Sequence, residues 1–381
     1  MEFKVLESID QCPASLWDSL FESNYPFLKH SFLSLLESSG SVCEKTGWVP
    51  KHLLLESNDK TIAALPLYLK YHSLGEYVFD HSWADAYNHH GIPYYPKLVS
   101  AIPFTPVGGP RIGIAPNADI QQVTIKLLET LKLLSNEWGA SGWHLLFPEY
   151  GLAQSLAPQL AMQRTGVQYH WINANYVNFD DFVSNFSSRK RKNLLKERRL
   201  ANEKFHITRL VGAEITPIWW EFMHSMYQRT YAKRNGTEGY LTKDFFQHLG
   251  STIGSQAMMC IAETKDGQNE KKAAALFFFD DQTLYGRYWG CQQEYDFLHF
   301  ELCYHQGIEH AIENNLSYFN AGAQGEHKIS RGFKPVEVYS SHWIKNPDFA
   351  EAIQRFLNQE STQVKEYIKL SSKKLPYKDV G

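Results

Sequence analysis

Lys51-His52-Leu53-Leu54-Leu55-Glu56, then Ser57-Asn58-Asp59-Lys60, then the apolar run Ile62 to Leu69 read as two strands around a short polar link. This hairpin decides the fold, because its pattern returns about 200 residues later. There, Met258 to Glu263 form a strand, Lys265-Asp266-Gly267-Gln268 start a turn, and Ala273 to Phe279 form the partner strand. A helix-like stretch precedes each hairpin, with Phe32, Leu33, Leu35 and Leu36 in the first half and Phe245, Phe246 and Leu249 in the second. A further strand follows each, at Tyr77-Val78-Phe79 and at Leu284 to Trp289. Each half then has a helix (Asp119 to Trp138, Phe300 to Asn314) and a last strand (His144 to Phe147, Tyr318 to Ala321).

The recurring order of helix, hairpin, strand, helix and strand is too long for a solenoid repeat. It fits two copies of one mixed α/β (α+β) domain, with sheets flanked by helices. The expected division is 1–175, 176–346 and a C-terminal segment 347–381. A new helix is expected at Asp180-Asp181-Phe182, where Asp can cap free amides. The last segment carries Phe349, Ile353, Phe356 and Leu357 at helical spacing before turning Lys- and Ser-rich, so it reads as a docking helix with a loose tail.

The chain has 381 residues, of which 43% are hydrophobic and 21% charged, enough apolar material for a core and too much for a disordered chain. Its 38 basic and 41 acidic side chains leave a net charge of −3, which excludes a uniformly basic nucleic-acid binder but not a local basic patch. The apolar runs fall far short of the roughly 20 residues of a membrane span. Five scattered cysteines without a C-x-x-C read as free thiols in a reducing compartment, and the first residues lack a signal-peptide pattern. A cytoplasmic protein is expected.

Charge is most concentrated from Arg189 to Arg199. Seven of these eleven residues are basic (Arg189, Lys190, Arg191, Lys192, Lys196, Arg198 and Arg199), against one acid, Glu197. On a helix, Arg189, Lys192, Lys196 and Arg199 form one stripe, with Ser187 and Ser188 at its start as candidate caps. Arg offers forked donors to phosphate oxygens and Lys a point charge, so the stripe fits a phosphate-bearing ligand. A solvated face that serves only solubility has the same pattern.

A second cluster, Ala321 to Phe333, follows a predicted strand, where α/β folds hold ligands. Two glycines let the backbone approach a ligand, and Glu326, His327, Lys328 and Arg331 supply a base, a switchable imidazole and two cations. A polar turn with capping charges is the plain alternative. A third segment contains Trp83-Ala84-Asp85-Ala86-Tyr87, Tyr94-Tyr95-Pro96-Lys97-Leu98 and Pro103 to Arg111. Its Pro and Gly density reads as a structured loop that either lines an aromatic groove, with Trp83 and Asp85 in it, or serves as a rigid connector. No H-E-x-x-H, zinc spacing, G-x-G-x-x-G, P-loop or G-x-S-x-G occurs, so no metal site is expected. His299 and Glu301 bracket a helix start and read first as structural.

The blocks Trp83 to Tyr87, Tyr94 to Lys97, Pro103 to Pro106, Ser188 to Asn193, Tyr285 to Gly290, His299 to Tyr304 and Gly322-Ala323-Gln324-Gly325-Glu326-His327-Lys328 resemble the FemAB-like family of predicted bacterial N-acyltransferases. The resemblance runs from about Pro26 to Trp343. It implies tandem GNAT-like acyltransferase domains and a link to peptidoglycan biosynthesis or recognition. In better-known relatives of that family an amino acid passes from aminoacyl-tRNA to an amine of a peptidoglycan precursor. Carried over, Arg189, Lys190, Arg191, Lys192 and Arg198 become phosphate contacts.

The expectation is therefore acyl or aminoacyl transfer to an amine, with a cell-wall precursor as one candidate acceptor. Glu326 or His327 would be the base, while Arg287, Lys328 and Arg331 hold anionic groups. The co-substrate is left open between acyl-CoA and aminoacyl-tRNA, with no tightly bound cofactor. The partner is a small-molecule or cell-wall precursor bearing phosphate, or tRNA. The first half lacks a counterpart of Gly325-Glu326-His327-Lys328 and is expected to be mainly a scaffold and acceptor platform. The rival class is a non-catalytic module that binds a phosphorylated cell-wall or nucleic-acid ligand.

Overall fold

The computed structural model describes residues 1–21, 24–156 and 162–378. Two compact units make up the chain. Unit 1 comprises Met1–Val167 and Glu337–Glu366, and unit 2 comprises Gln168–Val336 and Tyr367–Gly381.

Unit 1 opens with β1 (Glu2–Leu6), α1 (Ala14–Leu20), α2 (His30–Ser38) and β2 (Trp48–Pro50). The expected hairpin is β3 (His52–Ser57) and β4 (Lys60–Leu65), antiparallel from Leu53↔Leu65 to Ser57↔Lys60. Asn58 and Asp59 close it, both left-handed (φ 50° and 59°), the conformation of the two-residue turn that matches strand twist. The apolar run does not continue as one strand to Leu69. It breaks at Pro66, and Tyr68–Lys70 form β5 in a different sheet.

Next come α3 (His81–His89), β6 (Lys97–Ser100), β7 (Gly113–Ile114), α4 (Ile120–Glu137), β8 (Gly142–Leu146), α5 (Tyr150–Leu156) and β9 (Met162–Ile172). One sheet has the order β1-β3-β4-β7 and another contains β8-β6-β5-β2. β6 and β8 run parallel, which requires the crossover that contains α4. Asp119 caps α4 by accepting from the amides of Gln121 and Gln122, and Val123, Leu127, Leu128, Leu131 and Leu134 form its buried face.

Two expectations fail in this stretch. Tyr77-Val78-Phe79 is not a strand: Tyr77 is left-handed (φ 61°), and flanking Glu76 and Asp80 turn inward to Lys97. Trp83 to Tyr87 is not loop but the middle of α3, because the Pro and Gly density begins only after it. Trp83 and Tyr87, four residues apart, are buried together with Tyr94. Asp85 faces solvent.

Unit 2 contains the end of β9, then α6 (Phe179–Ser184), α7 (Ser188–Lys204), β10 (Phe205–Val211), α8 (Pro217–Asn235), α9 (Lys243–Ile253), β11 (Ala257–Thr264), β12 (Lys271–Phe279) and β13 (Thr283–Cys291). It continues with α10 (Leu298–Phe300), a π-helical turn (Glu301–His305), α11 (Gln306–Glu313) and β14 (Tyr318–Asn320). The sheet order is β10-β11-β12-β13-β14-β9. Again an antiparallel run ends in one parallel pair, β13 with β14, bridged by helix. The repeat is one of element order: in unit 2 the hairpin β11–β12 is continuous with β13 and β14, whereas in unit 1 the hairpin β3–β4 lies in a separate sheet from β5, β6 and β8.

Met258, Cys260, Ala273, Ala275, Phe277, Leu284 and Phe319 fill the core under this sheet. α8 lies so close to β13 that a Cβ on Gly290 would run into the Met226 carbonyl, and Thr230 Oγ1 donates to the Trp289 carbonyl at 2.6 Å. α6 starts one residue before the expected Asp pair, at Phe179, with Asn178 as its cap accepting from the Asp181 amide. Ser187 stands at the cap position of α7 but makes no side-chain capping bond.

β15 (Lys334–Ile344) and α12 (Pro347–Ser372) complete the chain. From Glu337 on, β15 is part of unit 1 and pairs antiparallel with β8, Ser340↔Leu146 to Ile344↔Gly142. Ile353 and Leu357 of α12 join Trp83, Tyr87 and Tyr94 in a buried cluster, while Phe356 faces solvent. The Lys- and Ser-rich stretch is helical as far as Ser372, and the end of the expected tail, 379–381, lies outside the described residues.

Candidate active site

The loop after β14 in unit 2 gathers most of the residues singled out above. Asn320 Oδ1 accepts from the Gly322 amide at 3.0 Å, and the chain turns through Gly322 and Gly325 (φ 88° and 115°) into a 3-10 turn, Glu326–Arg331. At Gly325 a side chain would be strained and would also meet the His327 ring. The turn buries Lys328 and Arg331 and leaves Glu326 and His327 at the surface.

Lys328 Nζ donates to the Gly322 carbonyl at 2.7 Å, an uncharged partner. Burial without a carboxylate disfavours the ammonium and lowers its pKa to about 7, against a small opposing effect of Cys303. An amine that would be charged in water is thus balanced between its two forms at neutral pH.

His327 Nε2 lies 2.8 Å from Tyr304 Oη. Its ring packs against Phe300 and Tyr304, with His299 6.0 Å away centroid to centroid. Desolvation, then Arg331, Lys328 and Arg234, pull its pKa down to about 4. His299, packed on Trp289 and Tyr304, is held at about 3, mainly by burial and then by His327. Both imidazoles are therefore neutral at pH 7. Tyr304 belongs to the π-helical turn, and it meets His299 at a five-residue spacing.

Arg331 lies 3.4 Å over the Phe300 ring and donates to the His327 carbonyl (2.7 Å), Ser330 Oγ (3.2 Å) and Glu197 Oε2 (2.7 Å). Glu197 is the single acid of the basic run, so this bond joins the loop to α7. Arg198 turns inward over the Phe179 ring and donates to Glu301 (3.3 Å) and Glu309. Buried Glu301 also accepts from His305 (2.9 Å) and Gln306 (2.8 Å), and these partners hold its carboxyl low against the opposing push of burial.

Arg189, Lys190 and Lys192 are exposed and Arg191 half-buried, and none has an ion pair among the described residues. Glu326 accepts from Tyr367 Oη at 2.6 Å, and Tyr367 in turn bonds Tyr169. Arg287 lies on β13, half-buried, with its guanidinium 5.3 Å over Tyr288. Trp83 and Asp85 belong to unit 1, whereas the residues of this constellation belong to unit 2. Sequence reading missed Tyr304, Glu197 and Tyr367, and it set His299 aside as structural. The i,i+5 pair His299/Tyr304 has no signature in ordinary helical spacing.

Chemically, the loop offers an amine near neutrality, two neutral imidazoles, a phenol and a fixed guanidinium beside a cationic helix. Such a set can accept a proton and hold anionic groups.

The fold is similar to that of FemX (11% identity, TM-score 0.53, covering 93% of this chain and 100% of that chain). It is also similar to a conserved protein of unknown function from Bacteroides thetaiotaomicron (12%, TM-score 0.52, 90% and 100%). A third likeness is the C-terminal domain of a putative lysylphosphatidylglycerol synthetase from Agrobacterium fabrum (10%, TM-score 0.50, 91% and 94%). At such identities the likeness is one of fold. No curated protein matches the sequence. Sequence match to a known family, by contrast, runs from residue 8 to residue 379, and the chain belongs to the FemAB-like family, described as peptidoglycan biosynthesis/recognition.

Proposed function

We propose that the protein is an N-acyltransferase, moving an acyl or aminoacyl group from an ester or thioester donor to an amine on a cell-wall precursor. The observation that carries this reading is Lys328, a buried amine with a pKa of about 7 on a glycine-hinged loop. The family description supports the precursor class.

The amine nitrogen attacks the donor carbonyl carbon, and the carbonyl oxygen becomes an oxyanion that needs hydrogen-bond donors. Collapse breaks the bond to the leaving thiolate or ribose oxygen. The attacking nitrogen must lose a proton, and neutral Lys328 takes it. A base works best when its pKa lies near the operating pH, which favours Lys328 over His327 at about 4. Glu326, exposed and held by Tyr367, is a weaker candidate. Arg189, Lys190, Arg191 and Lys192 face donor phosphates, which both acyl-CoA and aminoacyl-tRNA possess.

The test is a panel of acyl-CoAs and aminoacyl-tRNAs with nucleotide-linked cell-wall precursors, read by the mass of the new amide. Product with one donor class, lost in Lys328→Met, is the expected result. Donor or precursor binding with no amide from any pair would instead assign the chain to the binding-module class.

A further inference from the structure

Unit 1 contains a buried ionic cluster that the proposed reaction does not use. Lys70 on β5 and Lys97 on β6 are direct register partners, so two lysine amines stand side by side on the sheet, and burial lowers the Lys70 pKa to about 7. Both side chains are fully buried. Like charges so placed repel, and the sheet supplies them no counterion. Carboxylates come from residues 71–80, a strap with no helix or strand, and both pair with Lys97. Lys97 Nζ donates to Ser73 (2.8 Å), Glu76 (2.7 Å) and Asp80, which uses its three protons. Lys70 Nζ donates to the Leu74 carbonyl (3.1 Å), lies 3.4 Å from His72 Nδ1, and sits 3.7 Å over the Trp48 ring. Tyr94 Oη donates to Asp80 at 2.7 Å.

The strap is not a fully satisfied lid. Glu76 Oε1 and Asp80 Oδ1 are buried without a hydrogen-bond partner, and Tyr71, Leu74 and Phe79 project into solvent. Buried ion pairs seldom stabilise a fold more than apolar packing would. The cations are fixed on strands, and the anions are on the irregular segment.

We propose that Lys70 and Lys97, with the hydroxyls of Tyr94 and Ser73, form an oxyanion site, and that the strap closes it with Glu76 and Asp80 as resident carboxylates. A ligand bearing a phosphate or a pair of carboxylates displaces them and releases residues 71–80. The site is independent of the transfer reaction proposed for unit 2.

Hydrogen exchange on the full chain tests this, in sodium chloride, sodium phosphate or sodium succinate at equal ionic strength. Amides of 71–80 should lose about fivefold or more of their protection in one oxyanion, while those of β4 and β8 stay unchanged. A response to phosphate alone identifies a phosphate ligand, and one to succinate alone a dicarboxylate. Glu76→Gln/Asp80→Asn, which removes the competing charges, should respond at about tenfold lower oxyanion concentration. Lys70→Met should abolish the response. The proposal fails if neither the wild type nor the double variant responds, or if the response persists in Lys70→Met.

Discussion

Glu197 of the basic helix accepts a hydrogen bond from Arg331 of the glycine-hinged loop at 2.7 Å, with Arg331 almost fully buried. The one acid among seven bases thus anchors the loop, and Arg189, Lys190, Arg191 and Lys192 at the start of α7 have no ion pair among the described residues. Glu197→Ala leaves a buried guanidinium without its carboxylate and should destabilise the protein by about 1–3 kcal/mol. In a double-mutant cycle by urea unfolding, Arg331→Leu in that background should cost much less than in the wild type. Additive losses would show that the pair is not coupled.

The pH profile of transfer should report Lys328. A base must be neutral, so turnover rises with pH through about 7 and is lost below it. Lys328→Met should lower turnover by about 10²–10⁴-fold and flatten that limb. Its stability should not fall in parallel. The folded state depresses this pKa from an ordinary lysine value, so native Lys328 lowers stability as pH drops from about 10.5 towards 7. Loss of fold in Lys328→Met at pH 7 would contradict the assignment.

His144 and His342 predict acid sensitivity in unit 1. Their Nδ1 atoms are 2.8 Å apart, and both rings are buried. Burial first, then Lys97, holds His144 at about 3, and burial with His144 holds His342 well below its ordinary value. Both are depressed relative to the unfolded chain, which binds more protons below about 6.5. Stability is therefore complete above that pH and falls as pH drops towards 3, by up to about 1.4 kcal/mol per unit for each histidine. Urea midpoints between pH 7 and 5 measure the slope, and His342→Gln should make it shallower.

Gly290→Ala should destabilise unit 2 by about 1–3 kcal/mol, because the added methyl meets the Met226 carbonyl of a helix backbone that cannot yield as a side chain can. The same change at Gly267, whose Cβ would meet nothing within 4 Å, should act only through its left-handed backbone (φ 85°). Thermal unfolding of the two variants separates crowding from backbone strain.

Much of the architecture is readable along the chain because strands and crossovers follow local hydrophobic pattern. Ser57 to Lys60 and the capped start at Asp119 are local turn and cap chemistry. Tyr77 to Phe79 misleads because its strand propensity loses to the pull of Lys97 on Glu76 and Asp80, a contact between segments. The helix at Trp83 is hidden by Pro and Gly that lie beyond it. In the site, residue identities are legible but their chemistry is not. Lys328 reads as a cation until its burial against the Gly322 carbonyl is known, and Tyr304, which bonds His327, lies in a π-helical turn that the sequence pattern does not announce.

The return of Glu337–Glu366 to unit 1 has a consequence for biosynthesis. Residues 1–167 leave the ribosome early, yet the strand that pairs with β8 emerges only after unit 2 has been largely translated. Throughout that interval one edge of β8 stays open to pairing with any other chain. A nascent chain stalled before residue 337 exposes that edge, so order of synthesis is a source of mispairing separate from final stability.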